Sequence, residues 1–303
     1  MKFKLKTIAG SLLLTCAASA HASSISTPII ETQVTGNGPD VILIPGLMSD
    51  ARVWQETAAQ LESRYTVHRI SIAGFGQTPL NTELRDSFSE PVLNALHQYI
   101  EQNTGSNTAV VGHSLGAFLG YQLALQGNEQ VSCAVAVDGV PFFSALVTMT
   151  PGMTAEQAQP HAEQMLQGYQ QLSVEMMVQQ TQMGLDRQTQ SNEGQDLIMS
   201  MAEGSDPQTV GRAMYELMIT DLRPELPHLQ TPVLQMAAIG ALPESQHDMA
   251  LNQYQQQVSG SDHVSLLEFN QAHHFIMWDQ PEAFMQATQN FMEEQCFGGN
   301  THG

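Results

Sequence analysis

Lysine is nearly absent from this sequence of 303 residues, and Lys2, Lys4 and Lys6 are its only examples. Beyond them the chain has seven arginines against thirty acidic residues, so the formal net charge moves from −20 to −23 once the three lysines are left out. A surface this acidic repels nucleic acid and anionic lipid. We therefore expect no nucleic-acid partner, and an acidic, soluble surface is sufficient to explain the composition.

Cysteine is also scarce, with Cys16, Cys133 and Cys296 as the only examples. The spacing of Cys133 and Cys296 matches no metal site, so we expect no bound metal. In an oxidising compartment these two residues are able to form a disulfide bond, and two separate buried thiols are the alternative.

Long apolar runs are missing apart from a short one at the N-terminus. Residues 1–22 combine a lysine-rich start with a brief apolar centre. Ala18-Ser19-Ala20 and Ala20-His21-Ala22 each have the small residues that suit a cleavage site. This is the layout of a secretory signal peptide, which is too short to remain as a membrane-spanning helix. We expect it to be removed, leaving a periplasmic or secreted protein without stable membrane insertion. A lipoprotein anchored through Cys16 is disfavoured, because Thr15 is a poor residue before a modified cysteine.

Short apolar runs rich in β-branched residues alternate with helical patterns along the rest of the chain. The predicted strands are 41–44, 65–72, 108–111, 131–137, 233–237 and 264–269. The predicted helices are 52–61, 89–102, 115–125, 246–257 and 281–294. This alternation predicts a mostly parallel sheet with helices on both faces, to which 27–34 is able to add an antiparallel edge strand.

One stretch breaks the alternation. Residues 140–227 contain no strand pattern, are rich in Met, Gln and Ala, and carry apolar residues at helical spacing. We expect 23–139 and 228–303 to form the α/β core, and 140–227 to form a helical cap inserted after the strand that ends near Asp138. Flexible methionines suit the inner face of a cap over an apolar pocket, although methionines that fill an ordinary core are the alternative.

The pentapeptide Gly112-His113-Ser114-Leu115-Gly116 lies between a predicted strand and a predicted helix. A strand–turn–helix with this pattern is typical of a nucleophile elbow, in which both glycines are needed for steric reasons. The turn also puts Ser114 at a helix N-terminus, where the helix dipole favours a developing anion. The sequence therefore predicts Ser114 as a nucleophile, and an inert serine in a tight turn is the alternative.

An acyl-transfer site also needs donors for an oxyanion. The backbone N–H of Leu115, directly after the nucleophile, is one expected donor. The loop after the first parallel strand supplies the second, and we assign it to Leu47, with Met48 as the alternative.

The general base is expected late in the chain, after the last strand. His274 is followed by Phe275 and by the helix start Pro281-Glu282, a pattern that favours it over the neighbouring His273.

The acid is harder to assign, because the segment after strand 233–237 contains no aspartate where many related enzymes have one. Asp138, at the end of the strand 131–137, is the first choice, and Glu244 and Asp248 are the alternatives. Its role would be to hold the histidine tautomer and to stabilise the imidazolium.

Taken together, these motifs resemble the α/β-hydrolase superfamily over nearly the whole mature chain. The residues that carry the resemblance are Leu43-Ile44-Pro45-Gly46, Ala73-Gly74-Phe75-Gly76, the pentapeptide around Ser114, Val137-Asp138, Thr220-Asp221-Leu222-Arg223-Pro224, and His274-Phe275 with Pro281-Glu282. The resemblance implies the α/β-hydrolase fold, a serine–histidine–acid triad and no cofactor. The chain is similar in particular to a bacterial exported group of α/β hydrolases, in which the acid is also missing from its usual place. The resemblance does not identify the substrate.

The leading hypothesis is hydrolysis of a carboxylic ester or related acyl compound, small and apolar, through an acyl-enzyme intermediate. The alternatives on the same scaffold are a peptidase, a lactonase, a C–C hydrolase or a non-catalytic binding protein. Dehalogenase and epoxide hydrolase chemistry are disfavoured, because they need a carboxylate where Ser114 stands.

Overall fold

The computed structural model describes residues 27–298, so the predicted signal peptide, residues 1–22, lies outside the described residues. Seven strands form one sheet. They are β1 (Ile30–Gly36), β2 (Asp40–Ile44), β3 (Thr66–Ile72), β4 (Thr108–His113), β5 (Val131–Val137), β6 (Val233–Ala238) and β7 (Val264–Phe269). Their order across the sheet is β1-β3-β2-β4-β5-β6-β7.

All neighbouring strands pair in parallel except β1, which is antiparallel to β3. The predicted fold class and the antiparallel edge strand are therefore confirmed. In a parallel sheet the carboxyl ends of the strands meet at one edge, where ligand sites are generally built. The loops that follow β2, β4, β5 and β7 all open at this edge, and they contain the predicted site residues.

Eleven α-helices lie in the described part of the chain. They are α1 (Gln55–Leu61), α2 (Ser89–Asn103), α3 (Leu115–Leu125), α4 (Phe143–Val147), α5 (Ala155–Gln171), α6 (Val174–Gln188), α7 (Asn192–Gly204), α8 (Pro207–Ile219), α9 (His247–Val258), α10 (Ile276–Asp279) and α11 (Pro281–Phe291).

Two helix boundaries differ from the sequence prediction by more than one residue. The predicted helix 52–61 begins as a 3-10 turn, Ala51–Trp54, because the Asp50 side chain accepts the backbone N–H of Arg52 and caps this turn. The predicted helix 281–294 corresponds to α11, which ends at Phe291, and the chain then continues as a π-helical turn, Met292–Cys296.

The two faces of the sheet bury two separate apolar clusters. Along β2, Ile42 and Ile44 pack on one face, while Val41 and Leu43 pack on the other. This is the alternation of side chains expected for a strand. Because both faces are covered, the strand is apolar throughout, which explains the continuous apolar run in the sequence.

Five helices, α4 to α8, occupy the chain between β5 and β6, and we call residues 143–219 the helical insertion. Four of these helices begin at a residue whose side chain accepts a backbone N–H of the first turn, namely Thr154, Ser173, Ser191 and Asp206. Such caps satisfy orphan N–H groups at a helix start, and they fix where each helix begins. Within residues 27–298, no helix has the length and apolar character needed to cross a bilayer.

Cys133, in the middle of β5, and Cys296, in the C-terminal π-helical turn, form a disulfide bond with a Cα–Cα distance of 5.2 Å. Both residues are buried in the cluster between the sheet and α11. The bond closes a loop with a sequence separation of 163 residues, so it ties the end of the chain to a central strand.

We expect the variant Cys296→Ala to be less stable than the wild type by about 2–5 kcal/mol, since loss of the disulfide increases the conformational entropy of the unfolded chain. Urea unfolding measures the difference. A reductant should lower the midpoint of the wild type and leave that of the variant unchanged. Equal midpoints for oxidised and reduced wild type would show that the bond contributes nothing to stability.

Candidate active site

Ser114 lies in the turn between β4 and α3 with φ 55 and ψ −115, a backbone conformation that residues with a side chain rarely adopt. Its N–H donates to the carbonyl of Val137 at 2.9 Å, so the strained turn is held against the end of β5. A Cβ atom added to Gly112 would collide with the carbonyl of Gly116, and one added to Gly116 would collide with the carbonyl of Ile44. The two glycines are therefore steric requirements of this turn.

His274 follows β7, and its Nδ1 lies 2.6 Å from Oδ2 of Asp138. A carboxylate at Nδ1 keeps the proton of a neutral imidazole on that nitrogen, which leaves Nε2 as the proton acceptor. Ser114, Asp138 and His274 all line one cavity. The structure thus brings the predicted nucleophile, base and first-choice acid together.

Asp138 directly follows β5 and has a φ of 49, a left-handed backbone conformation that residues with a side chain rarely adopt. Oδ1 accepts the backbone N–H of Ala238 at 2.8 Å and the hydroxyl of Tyr254 at 2.6 Å. The side chain is only 8% exposed, and both of its oxygens have donors. A buried carboxylate needs such donors, since burial of an unsatisfied charge costs several kcal/mol or more.

Tyr254, on α9, is a site residue that the sequence analysis did not identify. Burial and the adjacent Asp138 carboxylate both hold the pKa of its hydroxyl well above the usual range, so it stays protonated and acts as a donor. The helical spacing of α9 indicates that position 254 is buried. Nothing local in the sequence connects it to a residue 116 positions earlier.

The other candidates for base and acid lie elsewhere. Glu244 and Asp248 are exposed, while the carboxylate that contacts His274 is that of Asp138. His273 is not among the residues that line the cavity, and its backbone N–H donates to Asp279 at 2.8 Å.

The loop after β2 approaches the nucleophile turn closely. A Cβ at Gly46 would lie 3.1 Å from Cβ of Ser114 and 2.9 Å from Nδ1 of His113, so a larger residue would push this loop away. Leu47 lines the cavity, and Leu115 is the first residue of α3. Among the described residues, no protein acceptor takes the backbone N–H of either residue, which leaves both available to an oxyanion. Met48, the alternative donor, has a φ of 59 and also lines the cavity.

His113 is fully buried behind the turn that contains Ser114, and it forms a hydrogen bond to the predicted base, His274. Its Nε2 donates to the backbone carbonyl of His274 at 3.0 Å. Burial, and secondly the proximity of His274, hold its pKa well below the usual range, although the hydrogen bond to the carbonyl opposes this effect. His113 is therefore neutral and fixes the position of the loop that carries His274.

The same loop is tied to the helical insertion on its other side. The N–H of Phe275 donates to the carbonyl of Gln188 at 2.9 Å. Asp279 accepts the hydroxyl of Thr189 at 2.6 Å and the N–H of His273 at 2.8 Å. We call this set of contacts the α6–α7 latch, because Gln188 and Thr189 lie at the junction of those two helices.

The cavity has a volume of about 470 Å³ and lies between the strand ends and the helical insertion. Most of its wall is apolar. The apolar side chains are Leu47, Met48, Val140, Phe143, Leu146, Val147, Ile198, Met201, Met214, Leu217 and Phe275. No arginine lines it in the part of the chain that the structure describes, and no group of three His, Cys, Asp or Glu side chains there is arranged to hold a metal ion.

Known proteins with similar sequences match nearly the whole chain. A pimeloyl-[acyl-carrier protein] methyl ester esterase of Vibrio cholerae is 25% identical over 260 residues, which cover 86% of this chain and 96% of that protein. The protein of the same name from Aliivibrio salmonicida is 26% identical over 267 residues, or 87% and 95% of the two chains.

Solved structures share the fold at lower identity. An esterase from Exiguobacterium antarcticum superposes with a TM-score of 0.68 at 16% identity and covers 87% of this chain and 95% of its own. The enol-lactonase from Burkholderia xenovorans LB400 gives a TM-score of 0.66 at 16% identity, with 87% and 96% covered.

The model of the alpha/beta hydrolase family matches residues 41–287, from the first parallel strand to the last helix of the core. This match spans the strand ends, the helical insertion and the turn that contains Ser114. The chain therefore belongs to the alpha/beta hydrolase family.

Proposed function

We propose that this protein is a serine hydrolase that cleaves a carboxylic ester through an acyl-enzyme intermediate. The observation that carries the proposal is the hydrogen bond of 2.6 Å between His274 and Asp138, in a cavity that also contains the strained Ser114. The names of the relatives, which are ester hydrolases, support the same reaction class.

In the first step, Ser114 Oγ attacks the ester carbonyl carbon while Nε2 of His274 takes its proton. The carbonyl oxygen becomes an oxyanion, which the N–H groups of Leu47 and Leu115 stabilise. The C–O bond to the alcohol then breaks, and His274 gives its proton to the leaving alcohol. A water molecule repeats these steps on the acyl-enzyme, releasing the carboxylic acid and restoring Ser114.

Asp138 serves as the acid of the triad in this proposal. It accepts the Nδ1 proton of His274, which fixes the productive tautomer and stabilises the imidazolium formed during each proton transfer. The position after β5 is compatible with this role, because β5 and the loop after β7 open at the same edge of the sheet.

We further propose that the substrate is a small, apolar and uncharged ester, and that the helical insertion acts as its cap. The apolar wall formed by Phe143, Leu146 and Leu217 suits a hydrocarbon chain, while a charged group would find no opposite side chain to pair with.

Export to an oxidising compartment, periplasmic or extracellular, is part of the proposal. The disulfide between Cys133 and Cys296 supports it, since such bonds are rare in reducing compartments.

Replacing the nucleophile tests the reaction class. We expect Ser114→Ala to lower ester hydrolysis by about 10⁴-fold or more, because the covalent route is lost. A fluorophosphonate should label the wild type at Ser114, as peptide mass spectrometry would detect. If the folded wild type neither reacts with the probe nor hydrolyses p-nitrophenyl esters of any chain length, the scaffold is a binding protein instead.

The acid assignment has a matched control. We expect Asp138→Asn to lower kcat by about 10³–10⁴-fold, since an amide favours the wrong histidine tautomer. The exposed rivals, changed as Glu244→Gln and Asp248→Asn, should keep wild-type kcat on the same p-nitrophenyl ester. A full rate in Asp138→Asn, or a comparable loss in either control, would reassign the acid.

Charge selectivity tests the substrate class. Dimethyl pimelate and monomethyl pimelate differ by one terminal carboxylate, and we expect kcat/KM to be at least about tenfold higher for the neutral diester because the anion would be buried unpaired. Val147 lines the cavity and is 53% exposed, so an arginine there has room for its side chain. The variant Val147→Arg places a cation at the cavity and should reduce the difference in kcat/KM between the two esters. Similar values for both esters in the wild type would contradict the expected selectivity.

A further inference from the structure

We propose that Tyr254 is a positioning residue, which orients the carboxylate of Asp138 toward His274 and tunes how strongly that carboxylate holds the imidazolium. The inference rests on the proposed function and assigns α9 a part in it. It concerns the second oxygen of the acid, which the triad itself does not use.

The two carboxylate oxygens of Asp138 have different hydrogen-bond partners. Oδ2 lies 2.6 Å from His274 Nδ1, while Oδ1 accepts Ala238 N–H at 2.8 Å and Tyr254 O–H at 2.6 Å. Rotation of the carboxylate would break the contacts at both oxygens together. The donors on Oδ1 therefore fix the plane in which Oδ2 meets His274.

The hydroxyl of Tyr254 is held in place by the packing of its ring. The residue is buried in a small apolar cluster with Val140, Ala237, Ile239 and Ala250, which belong to the ends of β5 and β6 and to α9. The ring therefore has little freedom to move the hydroxyl away from Asp138. The high pKa of that hydroxyl keeps its proton in place over the whole working range of pH.

A donor on Oδ1 also draws negative charge away from Oδ2. Without it, the carboxylate would hold the protonated His274 more strongly, so the rate of the variant would begin to fall at a higher pH than that of the wild type. His113 is the other titratable side chain in ring contact with His274, at 4.5 Å, and its strongly lowered pKa keeps it neutral across the same range. A difference in the acid limb of the pH profile between variant and wild type is therefore not caused by His113.

The test compares Tyr254→Phe with Tyr121→Phe. Tyr121 is a matched control, because it is also buried and donates a hydrogen bond to Gln235 at 2.9 Å, but it lies outside the cavity. Each variant loses one buried hydroxyl. The rate at which a fluorophosphonate labels Ser114 is measured from pH 5 to pH 9, beside kcat and KM for a p-nitrophenyl ester.

We expect Tyr254→Phe to label Ser114 about tenfold more slowly, with a lower kcat and a similar KM, since a hydrogen bond to a charged group is lost. The acid limb of its profile of labelling rate against pH should move to higher pH by about half a unit. Tyr121→Phe should be less stable than the wild type, with an unchanged limb and labelling rate. If Tyr254→Phe keeps the wild-type rate and limb, or if Tyr121→Phe shifts equally, Tyr254 has only a structural role. A wild type that the probe fails to label would instead overturn the proposed function.

Discussion

The carboxylate of Asp138 is the group on which the arrangement of this site depends. It is buried at the end of β5, and three different parts of the chain donate to it: the loop after β7, the end of β6 and α9. Each donor satisfies a charge that would otherwise be costly to bury. The same three hydrogen bonds hold together the strand ends on one side of Ser114, so the need to satisfy one buried charge also assembles the cavity wall.

The helical insertion is joined to this arrangement through the α6–α7 latch. The loop that carries His274 is held from the core by His113. The insertion holds it through Gln188, which accepts the N–H of Phe275, and through Thr189, which donates to Asp279 of α10. An insertion that only covered the cavity would need no hydrogen bonds to the base-bearing loop. Because it has them, the insertion also helps to set the position of the loop that carries His274.

Local motifs carried much of the information about the fold and the site. The strand pattern and the pentapeptide around Ser114 depend on neighbouring residues, and such patterns can be recognised in sequence. His274 was identified from the residues that follow it. Asp138 is the first choice for two reasons. The segment after strand 233–237 has no aspartate in the usual place, and the ends of the strands converge at one edge of a parallel sheet.

Other parts of the site depend on long-range contacts and left no local pattern. Tyr254 looks like any buried residue of an amphipathic helix, and its hydroxyl meets Asp138 only because α9 packs beside the end of β6. The α6–α7 latch is similar, since Thr189 and Asp279 are 90 positions apart. The identity of a hydrogen-bond partner at such a separation follows from the packing of the sheet, which the sequence pattern alone does not specify.

The scarcity of cations in the sequence has a consequence at the cavity. Arg52, Arg85 and Arg223 are paired with Asp50, Asp206 and Asp221, and these pairs fasten loops and helix starts of the core and the insertion. A guanidinium engaged in this way is bound to a carboxylate of its own chain, and it lies outside the cavity-lining set. Among residues 27–298, no lysine occurs and no arginine lines the cavity, so its wall has no permanently charged cation. The net negative charge of the chain repels anions that approach it. The electrostatics of the whole chain and the apolar wall of the cavity therefore both support the proposed ligand, an uncharged ester with a hydrocarbon chain.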